Sequence, residues 1–297
     1  MSATVSSPLC VITGANGYLG GCLTRAFLQA GWRVLALSRR PVAPADRLSW
    51  AAFELGQENL PAAVTNADAL IHCAYDFRPI RWTEIADRNV TGTARLLDSA
   101  RRLGVRQQVV ISSISAYEGC RSFYGRAKLA MEQAAFQRGA WAVRPGLIHG
   151  PHAGGMYGQL SRQVRQSRLT PIFGRGDQPQ YLVHEDDLSG WLVRLLEKGT
   201  PAPARALTAA DPERWTFRDL LSALARLQHR PRPIFLPVPW RPVWLALRST
   251  EAAGLRLGFR SDSLLSLMHQ NPQPDFSAAR EWGFQSRKFS ASPAASA

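Results

Sequence analysis

The stretch Leu9-Cys10-Val11-Ile12-Thr13-Gly14-Ala15-Asn16-Gly17-Tyr18-Leu19-Gly20 decides the fold. Residues 9–13 form a short apolar run of the kind that makes a strand buried on both faces. Leu19, Leu23, Phe27 and Leu28 then recur at helical spacing until Gly31. Between strand and helix lie Gly14, Gly17 and Gly20, in the spacing GxxGxxG. In that setting, glycines let the backbone approach a pyrophosphate, which rests on the positive end of the following helix. The expectation is a dinucleotide on this loop, held by Gly14, Asn16, Gly17, Tyr18, Leu19 and Gly20.

Further strands are expected at 34–37, 69–72, 108–112 and 141–143, alternating with helices over 83–103 and 123–138. Such alternation predicts an α/β fold with a Rossmann-like, doubly wound parallel sheet. After Arg144-Pro145, glycine and proline become frequent and the elements irregular. Residues 1–150 are read as mainly the dinucleotide-binding domain, and 151–289 as mainly a smaller substrate lobe interleaved with its end. The Ala/Ser-rich tail 290–297 is expected to be disordered. Pro233 to Leu247 carries Phe235, Trp240, Trp244 and further prolines. It is read as a proline-broken connection into a core helix, in preference to a membrane-surface or greasy-substrate segment.

The chain has 297 residues and a formal charge of +14. Its 36 basic residues are nearly all arginine, scattered without a basic block interleaved with aromatics. This favours attraction for anionic small molecules over nucleic-acid binding. Cys10, Cys22, Cys73 and Cys120 show no metal-ligand spacing, so no metal is expected, and a reducing, cytoplasmic compartment fits. The first eight residues lack the features of a signal peptide, and no apolar run is long enough to span a membrane.

The second strand ends at Ser38-Arg39-Arg40, where an NAD site usually offers Asp or Glu to the ribose 2′-hydroxyl. Two guanidiniums there suit a 2′-phosphate, so NADP(H) is preferred over NAD(H). Tyr124 and Lys128 stand four apart on one helix and share a face. A nearby ammonium lowers a phenol's pKa toward the range useful for proton transfer. Ser112-Ser113-Ile114-Ser115 closes the preceding strand, where a hydroxyl can orient a substrate oxygen.

Together these stretches resemble the short-chain dehydrogenase/reductase superfamily, in its extended NAD(P)-dependent epimerase/dehydratase branch. Thr13 to Gly20 is similar to TGxxGxxG, Asp68 to Ala74 to DxVIHxAA, and Asn89-Val90-Thr91-Gly92-Thr93 to NVxGT. Ser112 to Tyr117 resembles SSxxVYG, Tyr124 to Lys128 is YxxxK, and Arg144 to Pro151 resembles RPxxVYGP. Val183 to Asp187 resembles VHVDD, and Asp275 to Phe284 the closing D…KA…LGW. The resemblance implies Ser113, with Ser115 as the alternative serine, and Tyr124, Lys128 and Asn89 as catalytic residues. It also implies cofactor contacts from Glu54, Leu55, Cys73, Ala74, Pro145, Gly146 and Ile148. It further implies hydride transfer between nicotinamide and a ketone or secondary alcohol. Epimerisation or dehydration of a nucleotide-sugar, and a non-enzymatic NADP(H)-binding sensor or assembly factor, are the alternatives. Pairing of two copies through helices flanking the Tyr/Lys segment is a family habit.

Three departures bear on substrate. Gln180 stands where nucleotide-sugar enzymes usually place an arginine on the diphosphate, and Arg175 or Arg260 are the candidate substitutes. His149 replaces the tyrosine of RPxxVYGP, and the interval from Ser113 to Tyr124 is short.

Overall fold

In the computed structural model, residues 7–255 and 258–290 are described. The strands in chain order are β1 (Leu9–Thr13), β2 (Arg33–Ser38), β3 (Leu48–Ala52), β4 (Ala69–His72), β5 (Gln107–Ile111) and β6 (Trp141–Pro145). They continue as β7 (Leu147–His149), β8 (Leu169–Phe173), β9 (Pro179–Gln180), β10 (Leu182–His184), β11 (Leu207–Ala209), β12 (Trp215–Thr216) and β13 (Ile234–Val238). The helices are α1 (Tyr18–Gln29), α2 (Trp82–Ile85), α3 (Gly92–Arg102), α4 (Phe123–Phe136) and α5 (Gly155–Gln166). After them come α6 (Glu185–Glu197), α7 (Phe217–Leu227), α8 (Trp240–Ala252), α9 (Ser261–Met268) and α10 (Ser277–Glu281).

Seven strands form one sheet in the order β11-β6-β5-β4-β1-β2-β3, with every pairing parallel. The order steps outward from β1 in both directions, as in a doubly wound Rossmann sheet, and places a crevice at the carboxyl ends of β1 and β4. The apolar runs are buried on both faces: Val11, Leu70 and Val110 pack on one side, and Ile12, Ile71 and Val109 on the other. β3 has no counterpart among the expected strands; only partly buried, it lacks a continuous apolar run. The helix expected at 83–103 is α2 and α3 joined through a wider π-type turn at Ala86–Thr91. β11, drawn from beyond residue 150, completes the sheet beside β6. Residues 291–297, most of the tail expected to be disordered, and residues 1–6 at the N-terminus lie outside the described residues.

α8 departs from the core helix expected after the prolines. Of its 13 residues only Leu247 is buried. Trp240, Val243, Trp244 and Leu247 recur on one face at helical spacing, but the first three stay half-buried because other elements already fill the sheet faces. Among the described residues, no helix is long and apolar enough to cross a membrane.

Candidate active site

The crevice holds a cavity of about 960 Å³, at the upper end of the range of ligand pockets (~300–1,000 Å³). Gly14 adopts φ +68°, where a Cβ would lie 2.9 Å from the Ala74 nitrogen. A Cβ on Gly20 would meet the Gly14 carbonyl. These glycines therefore let the loop pack against β4 and turn at once into α1. Gly17 is the N-cap of α1 and no side chain caps that end, so its amide groups remain available for an anion.

A buried relay holds the two strand ends in register. Thr13 Oγ1 accepts from the Ala74 amide and lies 2.7 Å from His72 Nδ1. His72 Nε2 lies 3.0 Å from Thr93 Oγ1, which donates to the Asn89 carbonyl. Because the Thr93 proton is thus committed, His72 carries its proton on Nε2 and accepts on Nδ1. Burial, then the Lys128 charge, pushes the His72 pKa down to about 3, which keeps the ring neutral. On the far side, Tyr18 donates to Glu185, a buried carboxylate that ties the glycine loop to α6.

The ribose end is built from Asn16, Ser38, Arg39 and Arg40. Asn16 Nδ2 donates to the Ser38 hydroxyl (3.1 Å) and to the Arg40 carbonyl (2.6 Å). Ser38 accepts from Trp50 as well and donates to the Arg40 carbonyl. The backbone is thereby pinned while the exposed Arg39 and Arg40 side chains line the cavity. The nearby Glu54 carboxylate is paired with Arg78.

At the other end, Ser113, Tyr124 and Lys128 meet on the cavity wall. α4 begins with Ser122 as a true N-cap, and Asp262 of α9 accepts from the Phe123 and Tyr124 amides at 2.6 and 3.0 Å. Burial pushes the Tyr124 phenol up, and its hydrogen bond with Ser113 pulls it down. Lys128 Nζ donates to the Ile111 carbonyl (2.7 Å) and lies 6.0 Å from the Tyr124 ring centre. Ser113 is thus in direct hydrogen-bond contact with the phenol, and Lys128 stands one helical turn away from it. Burial pushes Lys128 down to about 8, with Cys73 and Glu132 acting to raise it.

The cavity gathers every expected contact except Gly20, Asn89 and the alternative serine, Ser115. Gly20 acts through close packing within the loop. Asn89 is fully buried in the π-type turn, and its amide is spent on backbone. It accepts from the Asp76 amide (2.7 Å) and donates to the Asp76 and Ile85 carbonyls. Its position makes it a clamp on the segment after β4. That segment supplies residues the sequence reading missed. Tyr75 and Phe77 pack on Tyr124, with ring centres 5.1 and 5.9 Å away. Arg260 donates to the Phe77 and Pro79 carbonyls. The aromatics follow directly on the DxVIHxAA stretch, a local signal; nothing local marks Arg260. His149 and Gln180 are buried away from the cavity wall, His149 among Tyr157, His184 and Phe289. Arg175 does not reach the cavity either.

The sequence pattern of the NAD dependent epimerase/dehydratase family matches residues 10–206. The chain belongs to this family. It is an NAD(P)-dependent enzyme with the fold of that family. It is 30% identical to the ceramide reductase of Caulobacter vibrioides over 246 residues, covering 80% of this chain and 76% of that one. It is 28% identical to the dTDP-4-dehydro-6-deoxy-D-allose reductase of Streptomyces bikiniensis over 282 residues, covering 78% and 85%. Its fold is similar to that of MoeE5 in complex with UDP-glucuronic acid and NAD. The TM-score is 0.65 at 23% identity, and the match covers 87% of this chain and 96% of that one.

Proposed function

We propose that this enzyme uses NADPH to reduce the ketone of an apolar, lipid-like molecule to a secondary alcohol. The observation that carries the substrate class is the chemistry of the cavity's second half. Tyr75, Phe77, Ile80, Leu147, Met156 and Leu255 line it. Among the described residues its guanidiniums are already engaged: Arg260 with two carbonyls, Arg78 with Asp76 and Glu54. Gln180 is buried off the wall. A diphosphate would find no free fork there. The similarity to a ceramide reductase points the same way.

Arg39 and Arg40 support the NADP(H) preference. Neither guanidinium has a hydrogen bond or ion pair among the described residues, and no free carboxylate stands at the end of β2 to meet a 2′-hydroxyl. The bound nicotinamide would supply the hydride. Tyr124 Oη would deliver the proton to the carbonyl oxygen, and Ser113 would hold that oxygen and the phenol in line. The Lys128 ammonium would favour the phenolate left behind. Asn89 serves as a positioning residue through the 74–80 segment. The four thiols are unpaired, which supports a reducing compartment such as the cytoplasm.

The test is NADPH oxidation with a long-chain ketone in detergent micelles, set against a dTDP-4-keto sugar. Turnover of the long-chain ketone is expected. Turnover of the nucleotide-sugar alone would overturn the substrate class and leave the family assignment standing.

A further inference from the structure

β8 and β13 form a two-stranded parallel sheet outside the main one, with Leu169 beside Ile234, Pro171 beside Leu236 and Phe173 beside Val238. Alternation sends Thr170 and Ile172 into the protein. The outward face is apolar where solvent would favour polar residues: Leu169 is 52% exposed and Ile234 and Leu236 are 45% exposed each. Phe173 stacks on Phe259, itself 40% exposed. α8 follows β13 directly and adds Leu245, 61% exposed, with Trp240 and Trp244 half-buried. The Arg241 and Arg248 guanidiniums each lie 5.7 Å from a tryptophan ring centre. The end of α8 runs into Gly254 and Leu255 on the cavity rim.

β8 and β13 carry no charge, and α8 carries Arg241, Arg248 and Glu251, the last accepting hydrogen bonds from Ser261. Residues 156–176 contain four arginines and no Asp or Glu, and residues 220–250 contain five more and apart from Arg none of the charged types. None of the nine takes part in an ion pair among the described residues. Exposed aliphatic side chains together with half-buried tryptophans and arginines without ion-pair partners are the composition of a surface that lies in the headgroup region. A nucleic acid would meet the arginines but gain nothing from the exposed Leu and Ile.

We propose that the face of β8, β13 and α8 docks the enzyme on an anionic lipid bilayer, with the cavity mouth at the membrane surface. Delivery of a membrane ketone through that mouth rests on the substrate reading above; the docking itself is measured without substrate.

The experiment is co-sedimentation of the full chain with phosphatidylcholine vesicles, with and without phosphatidylglycerol. Binding is expected only where phosphatidylglycerol is present, and it weakens as salt is raised. The pair Leu236→Glu and Leu245→Glu should lower vesicle affinity about tenfold or more. So should the pair Arg241→Glu and Arg248→Glu. Neither pair touches the cavity wall, so NADPH oxidation with a small soluble ketone should be unchanged in both. A wild-type chain left in the supernatant overturns the proposal, as does an apolar pair that sediments as well as wild type. Retention by duplex DNA in place of vesicles would reassign the face to phosphodiesters. A dimer in solution that Leu245→Glu dissociates would reassign it to a second copy. Docking without turnover of the long-chain ketone sinks the substrate class alone, and turnover in micelles without docking sinks the docking alone.

Discussion

Lys128 gives the sharpest physical test. Its ammonium is buried, 3% exposed, and donates to the Ile111 carbonyl with no carboxylate in direct contact. Burial moves it from 10.5 to about 8. A shift of that size corresponds to about 3 kcal/mol, since one unit is about 1.4 kcal/mol. The sign follows from proton counts. Between about pH 8 and 10.5 the unfolded chain holds a proton that the folded chain has lost, so stability rises with pH across that window. Below pH 8 both states are protonated and the full cost of the buried charge is present. Lys128→Met removes the titration. In urea unfolding of the cofactor-free protein at a series of pH values, wild type should gain about 2–3 kcal/mol relative to the variant between pH 7 and pH 10. The difference between the two proteins cancels the other titrating groups they share. A difference that stays flat over that range would refute the buried-ammonium reasoning. The same variant should lose turnover, because a group kept at the expense of stability is one the site needs.

Three further outcomes follow from the site. Tyr124→Phe should cut turnover by about 10²–10⁴-fold while NADPH binding, read by fluorescence, stays close to wild type; full activity would remove Tyr124 from the proton path. Arg39→Asp should weaken NADPH by about 10- to 100-fold and NADH far less, and equal losses in titration calorimetry would show that Arg39 meets no 2′-phosphate. Glu132 is fully buried, accepts two hydrogen bonds from Arg144, and takes the Ser112 hydroxyl too. Glu132→Gln should cost about 3–5 kcal/mol in denaturant unfolding by leaving Arg144 short of its counter-charge, and an unchanged midpoint would show the pair to be dispensable.

What the sequence by itself determined is the set of features whose geometry is local. GxxGxxG between an apolar run and a helical pattern requires only the bond geometry of a dozen residues, and it placed Gly14, Gly17 and α1 as found. Tyr124 and Lys128 share a face because helical periodicity puts i and i+4 together. Continuous apolar runs likewise marked five of the seven sheet strands, β1, β2, β4, β5 and β6, and missed the short β11 and the half-exposed β3.

Tertiary structure decided everything that depends on which distant groups meet. Asn89 sits in a motif that implies catalysis, yet the π-type turn buries it against Asp76. Arg260 reaches back across more than 180 residues to Phe77 and Pro79, a contact no spacing rule encodes. Ser113 meets the Tyr124 phenol, and the Lys128 ammonium donates to the Ile111 carbonyl, pairings that depend on how β5 packs against α4. α8 has the tryptophans and leucines of a core helix, but the sheet faces were already filled by other elements, so it lies outside. Local periodicity is written into the chain because each residue constrains its near neighbours. The pairing of residues far apart depends on which surfaces remain when those local elements pack.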